Sequence, residues 1–138
     1  MDYAILPGTK LILERLSGPI SYLDLVSLTE QVWNDELYDK SYSAIIDIRH
    51  ASFDMGPSSL KSFARLILDS ESASEGQVAV ISSKLTETAL SYLLAEKLTK
   101  GGVVSVFSTW EGVVAHLGLS EPVRIEIADE RAYDAMFN

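Results

Sequence analysis

The sequence predicts an α/β domain with a mixed, mainly parallel central sheet of roughly four to five strands and about four helices, plus a C-terminal tail of one strand and one helix. Short apolar runs rich in β-branched residues alternate along the chain with segments whose apolar residues recur at helical spacing. The run Ala44-Ile45-Ile46 puts apolar side chains on both faces of its strand, as in strands that helices cover on both sides.

The first elements are predicted to form a hairpin. Residues 3–6 and 10–16 are two extended runs, and Pro7-Gly8 between them is a turn signal. Gly18-Pro19 is expected to end the second strand. A hairpin makes one strand pair antiparallel, so the sheet is expected to be mixed rather than wholly parallel.

A helix over residues 21–37, a strand over residues 43–49 and a second helix are predicted next. Ser21 is spaced as an N-cap, with Asp24 three residues later, and apolar residues then recur at helical spacing. The second helix has the clearest amphipathic pattern in the chain. Its apolar positions are Leu60, Phe63, Ala64, Ile67 and Leu68.

A strand over residues 77–82, a helix and a strand over residues 103–107 follow. Thr86 is expected to cap the helix, and Gly101-Gly102 to end it, because glycine is common just past a helix C-terminus.

A further short helix is predicted from the spacing of a capping box. Ser108 and Glu111 are three residues apart, and Gly118 follows the last apolar position of the pattern. The chain therefore alternates strands and helices up to this glycine.

The C-terminal tail is predicted to hold a strand and a short helix. Apolar and charged residues alternate over residues 123–127, which is typical of a strand, and Asp129 is spaced to cap the helix. We expect this apolar tail either to close its own sheet edge or to pack on a second subunit, as in a homodimer. We interpret residues 1–138 as one domain with a core of about residues 10–118 and an extension over residues 119–138.

Composition argues against several function classes. The 138 residues are 47% hydrophobic and 22% charged, as in an ordinary globular domain. A formal net charge of −9, with scattered lysines and arginines, argues against nucleic acid or an anionic membrane surface as the partner. The sequence has no cysteine, no secretory signal and no apolar run long enough to cross a bilayer, so a cytoplasmic location is expected.

Polar residues gather at the carboxyl end of the strand over residues 43–49, where α/β sheets usually place their sites. Strand alternation puts Asp47 and Arg49 on one face and His50 on the other. An enzyme using these three residues is one open alternative, since histidine titrates near neutral pH. A solvated strand end is the simpler interpretation. The sequence has no glycine-rich phosphate loop, nucleophile elbow or EF-hand spacing, so no cofactor or metal is expected.

Five segments carry a family resemblance: LSGPIS, AIIDIRHASF, SSLKSFARLIL, QVAVISS and VSVFSTWEGVVAHL. Over roughly residues 10–118 their order and hydrophobic pattern resemble the STAS and STAS-like (SpoIIAA-like) proteins. These are the anti-sigma-factor antagonists and their relatives, including domains of sulfate transporters. The resemblance implies the same fold and a non-enzymatic regulatory module that acts through protein–protein contact, here at residues 50–59 and the start of the following helix.

The resemblance also implies a site of phosphorylation. Phospho-regulated members carry a serine or threonine at a helix N-terminus in an Asp-Ser-Ser/Thr-Gly-Leu motif. The corresponding segment is FDMGPSSL, in which Asp54 and Ser58-Ser59-Leu60 match the motif. The intervening Met-Gly-Pro and the missing glycine before the leucine depart from it. Ser58 and then Ser59 are the phosphorylation candidates, and simple capping of the helix is the alternative.

A partner or ligand surface is predicted around the same loop. It comprises Asp47, Arg49, His50, Phe53, Asp54 and Met55. Exposed phenylalanine and methionine are typical of a protein partner's surface or of an apolar pocket. A carrier of a small apolar, lipid-like ligand is therefore the alternative to the interaction module, with its pocket between sheet and helix. The support for this carrier is the analogy of its fold to lipid-binding folds.

Overall fold

The computed structural model describes residues 1–98 and 104–137, and strands and helices alternate along most of them. The strands are β1 (Asp2–Leu6), β2 (Leu11–Ile20), β3 (Ser43–Phe53), β4 (Val78–Ile81) and β5 (Val104–Phe107). The helices are α1 (Tyr22–Trp33), α2 (Pro57–Leu68), α3 (Leu85–Lys97), α4 (Trp110–Leu117), α5 (Glu121–Ala128) and α6 (Glu130–Ala135).

The five described strands form one mixed sheet in the order β1-β2-β3-β4-β5. β1 pairs antiparallel with β2, and each of the other neighbours pairs parallel. This arrangement confirms the predicted mixed, mainly parallel sheet and its N-terminal hairpin.

Helices cover the sheet on both faces. One face carries Ile12, Leu16, Ala44 and Ile48, which share a hydrophobic cluster with Leu28 and Val32 of α1. We call it the α1–α3 face, because α2 and α3 also line the cavity that lies against it. The opposite, α4–α6 face carries Leu11, Leu13, Ile45 and Ile81, packed with Val113, Val123, Ile127 and Tyr133.

The central strand β3 is longer than predicted. It continues past residue 49 to Phe53, because the neighbouring strand continues beside it: Gly18 pairs with Ala51 and Pro19 with Ser52. Four of the ten residues of the predicted loop over residues 50–59 are therefore strand. The prediction that Gly18-Pro19 ends β2 was also wrong.

A local irregularity lets β2 pass through these two residues. The register with β3 shifts between Arg15 and Ser17, and Gly18 has a φ of +70°, which glycine adopts without strain. β1 pairs with β2 only as far as Arg15, so Pro19 lies where β2 has a free edge. A proline is tolerated at such an edge because no second ladder needs its missing N–H.

Most predicted helix starts lie close to the observed ones, but some of the predicted N-cap residues were wrong. Ser21 and Asp24 form the predicted capping box of α1. Lys84, not Thr86, is the N-cap of α3, and it makes no side-chain capping bond. Thr109 rather than Ser108 caps α4, accepting a hydrogen bond from the Gly112 N–H at 3.2 Å.

The remaining predictions concern the C-terminal ends of three helices. α1 ends at Trp33 rather than residue 37, because the chain turns at Asn34, whose N–H donates to Glu30. The predicted stop at Gly101-Gly102 lies outside the described residues. Gly118 closes α4 with a φ of +63°, as predicted.

The C-terminal tail corrects the prediction most clearly, because residues 123–127 are helical and not a strand. Val123 and Ile127 are buried against the sheet, whereas Ile125 between them is 63% exposed. Residues four apart share one face of a helix, and the residue midway between them does not. Asp129 caps α6 as predicted, accepting from the Ala132 N–H at 2.9 Å.

Gly76→Ala is expected to lower the free energy of unfolding by about 1–3 kcal/mol. An added Cβ at Gly76 would lie 2.7 Å from the carbonyl carbon of Tyr42 and 3.0 Å from the Ser41 carbonyl oxygen, and backbone cannot swing aside. Gly8→Ala, in the turn between β1 and β2, is the matched control, because nothing lies within 4 Å of its added Cβ. Urea denaturation of both variants measures the difference, and equal midpoints would contradict the predicted clash.

Candidate functional site

The predicted polar pair Asp47 and Arg49 forms a compact internal network on the α4–α6 face. Asp47 is 1% exposed, and its carboxylate accepts two hydrogen bonds from the Arg49 guanidinium, both at 2.9 Å. The Tyr133 hydroxyl of α6 donates a third at 2.8 Å. The Arg49 guanidinium also lies 5.0 Å from the ring centre of Trp110 in α4. The network therefore joins β3 to two helices.

The electrostatics of this network fix the charge of Asp47. Burial alone would raise its pKa, but the hydrogen bonds from Arg49 and Tyr133 outweigh burial and hold the pKa below its ordinary value. Burial and the Asp47 charge together raise the pKa of Tyr133. Asp47 is thus a carboxylate and Tyr133 a neutral donor at neutral pH, and neither group is poised to exchange protons with a substrate.

The structure separates the residues of the predicted partner surface. Asp47 lies inside the molecule, whereas His50 is exposed and its imidazole forms no hydrogen bond with the residues that the structure describes. Phe53 and Met55 pack partly against the hydrophobic cluster of the α1–α3 face. The geometry required for joint acid–base chemistry by Asp47, Arg49 and His50 is not present.

The carboxyl end of β3 is occupied by side chains of α3 and its N-cap. The carboxylate of Glu87, 5% exposed, accepts a hydrogen bond from the Phe53 N–H at 3.2 Å. The Lys84 ammonium donates to the Ala51 carbonyl oxygen at 3.0 Å. This strand end, where a ligand site was expected, is therefore filled by the chain itself.

The phosphorylation candidates lie in the first turn of α2 and do not cap it. The N-cap is Gly56, which makes no side-chain capping bond, and Pro57 takes the first helical position. Ser58 is exposed and Ser59 is partly buried, next to the exposed Asp54 loop. Capping by a serine was therefore the wrong interpretation of this segment.

A cavity of about 460 Å³ lies on the α1–α3 face, between the sheet and helices α1, α2 and α3. Most of its wall is aliphatic or aromatic. Representative lining residues are Leu28, Trp33, Ile46, Phe63 and Leu94. Ligand cavities in proteins commonly have volumes of about 300–1,000 Å³ and apolar walls with a few polar groups, so this one has the size and the character of a binding site.

The polar part of the cavity wall lies toward the amino-terminal ends of the parallel strands. Tyr38 and Lys40 precede β3, and Ser74 and Glu75 precede β4. The Tyr38 hydroxyl donates to the Ser72 carbonyl oxygen at 2.6 Å, and Lys40 pairs with Glu75 at 3.2 Å. Ser74 differs, because its hydroxyl is buried without a hydrogen-bond partner among the described residues.

Glu14 is the charged residue of this cavity wall that lies within the sheet itself. It lies on β2, which has a neighbouring strand on each side, between Ile12 and Leu16 on the same face and beside Ile46 of β3. Burial raises its pKa to about 7, and no opposing cation lowers it again. Its carboxylate accepts no hydrogen bond from the residues that the structure describes.

Sequence reasoning missed Glu14, although a signal was available. In the run LILERL, the alternation of β2 places Glu14 on the same face as Ile12 and Leu16, in a strand with neighbours on both sides. A charge in such a position is unusual and points to a functional role more than a surface charge does.

Glu14 should make stability depend on pH. The folded state binds its proton more tightly than the unfolded state, whose pKa is near 4.5, so stability is lost as pH rises from about 4.5 to 7. We expect the free energy of unfolding to fall by about 1–3 kcal/mol across this window, and Glu14→Gln to remove that part of the slope. Urea denaturation at a series of pH values measures both. Glu75→Gln is the exposed control, and identical slopes in wild type and Glu14→Gln would refute the assignment.

Comparison with known proteins supports the fold assignment. No family model and no curated protein sequence matches the chain. The chain does have a SpoIIAA-like fold. It is similar to a crystal structure from Shewanella loihica PV-4, an uncharacterized protein of the DUF3478 family with a SpoIIAA-like fold, with a TM-score of 0.50 and 16% identity over 78% of this chain and 83% of that chain. At this identity the likeness concerns fold alone.

The described part of the chain offers neither a metal-binding cluster nor a membrane-spanning helix. Within residues 1–98 and 104–137, no group of three or more histidine, aspartate or glutamate side chains is arranged to hold a metal ion. None of the helices in that part of the chain is both long enough and apolar enough to cross a bilayer.

Proposed function

We propose that this protein is a non-enzymatic STAS-like module that binds a small, mainly apolar ligand in the cavity of the α1–α3 face. The observation that carries the proposal is the cavity itself, about 460 Å³ bounded by apolar side chains of the sheet and three helices. Protein interiors are normally packed with few voids larger than a water molecule. A space of this size beneath three helices is therefore better explained by binding than by packing.

The cavity and the internal network lie on opposite faces of the sheet. The Asp47–Arg49–Tyr133 network links β3 to α6 on the α4–α6 face. This face is therefore rigid, and it supports the sheet whose opposite face bounds the cavity. This division supports binding rather than catalysis, because the cavity wall brings no nucleophile and base together among the described residues.

Two adjacent leucines of α3 provide a matched test. Leu94 lines the cavity, whereas Leu93 is exposed. The wild type, purified from its own cells, is expected to release a small molecule on denaturation, as seen by native and denaturing mass spectrometry. Leu94→Trp should reduce the bound fraction, because overpacking of about 1–3 kcal/mol corresponds to about a five- to 150-fold loss of affinity. Leu93→Trp should retain it. Equal loss in both variants, or no ligand in the wild type, contradicts the proposal.

A regulatory interaction through residues 54–60 is the second candidate function. The exposed Ser58 in the first turn of α2 supports it, because free backbone N–H groups and the helix dipole there stabilise a phosphate. Ser58→Asp should change the affinity for a protein partner, and Ser59→Asp should do so less. Ser62→Asp, one turn later and also exposed, is the control. Unphosphorylated peptide from cells together with unchanged partner binding would refute this switch.

The homodimer and the cytoplasmic location stay predictions. The structure weakens the reason for the dimer, because Val123, Ile127 and Tyr133 of the tail are buried against the same chain's sheet. Light scattering measures the mass directly, and a monomer at high concentration would refute the dimer.

A further inference from the structure

We propose that the ligand of the α1–α3 cavity is a single-chain amphiphile whose head group donates hydrogen bonds to Glu14, which favours a long-chain amine or alcohol over a fatty acid anion. This inference rests on the proposed ligand-binding function and narrows it to one chemical class. It is carried by the position of Glu14 on β2, between two neighbouring strands and on the wall of an apolar cavity.

The charged residues that line the cavity are mostly acidic. The described lining residues include three carboxylates and one ammonium, which belong to Glu14, Glu71, Glu75 and Lys40. Lys40 is already engaged, pairing with Glu75 at 3.2 Å and donating to the Glu71 carbonyl oxygen at 3.4 Å. The remaining charge of the wall is negative, so the cavity repels an anionic head group and attracts a cationic one.

Glu14 differs from the two other carboxylates in its surroundings. Glu71 and Glu75 are exposed at the rim, where water screens their charge, whereas Glu14 lies among apolar side chains such as Ile12 and Ile46. An ionised carboxylate among apolar side chains and without a donor is unfavourable, and a ligand that donates to it removes that penalty. Because a fatty acid anion offers acceptors only, it would leave the ionised Glu14 unsatisfied.

Two hydroxyl-bearing residues support a polar head group at the same end of the cavity. Ser74 lines the cavity with a buried hydroxyl that has no hydrogen-bond partner within residues 1–98 and 104–137. Tyr38 lies near enough to Glu14 that burial and then the Glu14 charge raise the pKa of the tyrosine to about 12. The polar groups thus cluster toward the amino-terminal ends of the strands, and the apolar wall extends from there toward Phe53 and Leu60 for an alkyl chain.

Three ligands of equal chain length test the proposal: decylamine, 1-decanol and decanoate. Trp33 lines the cavity and Trp110 lies on the opposite face of the sheet, so a change in tryptophan fluorescence on titration reports occupation of the cavity, and calorimetry checks it. At pH 8.5, where Glu14 is mainly ionised, decylamine should bind about tenfold or more tightly than decanoate, with decanol between them.

The matched variants are Glu14→Gln and Glu126→Gln. Glu14→Gln keeps the shape of the side chain and should bring the affinities for decylamine and decanoate to within about threefold of each other. Glu126 is an exposed carboxylate on α5, at the opposite face of the sheet, so Glu126→Gln should leave the preference in place. The wild-type comparison tests the preference even if a variant folds poorly.

The outcomes separate this inference from the proposed function. Binding of decanol and decanoate with no preference for decylamine, or a preference unchanged in Glu14→Gln, would overturn the head-group inference and leave the carrier function standing. If none of the three amphiphiles binds and no small molecule co-purifies with the wild type, both fail.

Discussion

Asp47→Ala is expected to lower the free energy of unfolding by about 3–5 kcal/mol, because removing one partner of a buried ion pair leaves the other groups of the network uncompensated. The substitution removes the acceptor for both Arg49 hydrogen bonds and for the buried Tyr133 hydroxyl. Arg49 is partly exposed and regains some hydration, so the loss should lie toward the lower end of the range. Urea denaturation at pH 7 measures it.

An exposed aspartate on the same face gives the matched control. Asp134 pairs with Arg15 at 2.6 Å, but its side chain is 61% exposed. Exposed pairs contribute about 0–1 kcal/mol, so Asp134→Ala should be nearly neutral. A loss under about 1 kcal/mol for Asp47→Ala would show that this network contributes no more than a surface ion pair.

A double-mutant cycle separates the tyrosine contact from the arginine contacts. Tyr133→Phe removes only the hydroxyl that donates to Asp47, and should lower the free energy of unfolding by about 1–3 kcal/mol. In the Asp47→Ala background the same substitution should have little further effect, since the hydroxyl has already lost its acceptor. Additive losses would mean that the two side chains stabilise the fold independently.

The layered architecture was predictable because local patterns and tertiary packing agree over most of the chain. β3 puts apolar residues on both faces, and α2 buries Leu60, Phe63 and Ala64 along one stripe, as its spacing predicted. In such segments the chain has one way to bury its apolar surface, so periodicity is a sufficient guide. The SpoIIAA-like resemblance of the structure follows from this order of elements.

The candidate site was harder to predict because it depends on contacts between distant parts of the chain. Asp47 and Tyr133 are 86 residues apart, and nothing in the pattern around Asp47 distinguishes an internal partner from an open site. The carboxyl end of β3 was similarly expected to be open, until Glu87 and Lys84 were found to occupy it. A cavity has no sequence pattern of its own, since its walls are the same apolar residues that would form a solid core.

Ile127→Ala is expected to lower the free energy of unfolding by about 2–5 kcal/mol, whereas Ile125→Ala should change it by about 0.5 kcal/mol or less. Ile127 is 2% exposed and packs in the cluster of the α4–α6 face, and Ile125 is 63% exposed on the outer side of the same helix. The pair differs in environment but not in chemistry, so each substitution removes the same atoms.

The same pair decides between the two interpretations of the tail. In the strand that alternation predicted, residues 123, 125 and 127 would share one face, and the two substitutions would have similar effects. In α5 only Val123 and Ile127 face the sheet, so a large difference is expected. Thermal and urea denaturation of both variants measure it. Equal losses would mean that the tail packs as the strand, and burial of all three side chains at a subunit contact would then become the better account of its apolar face.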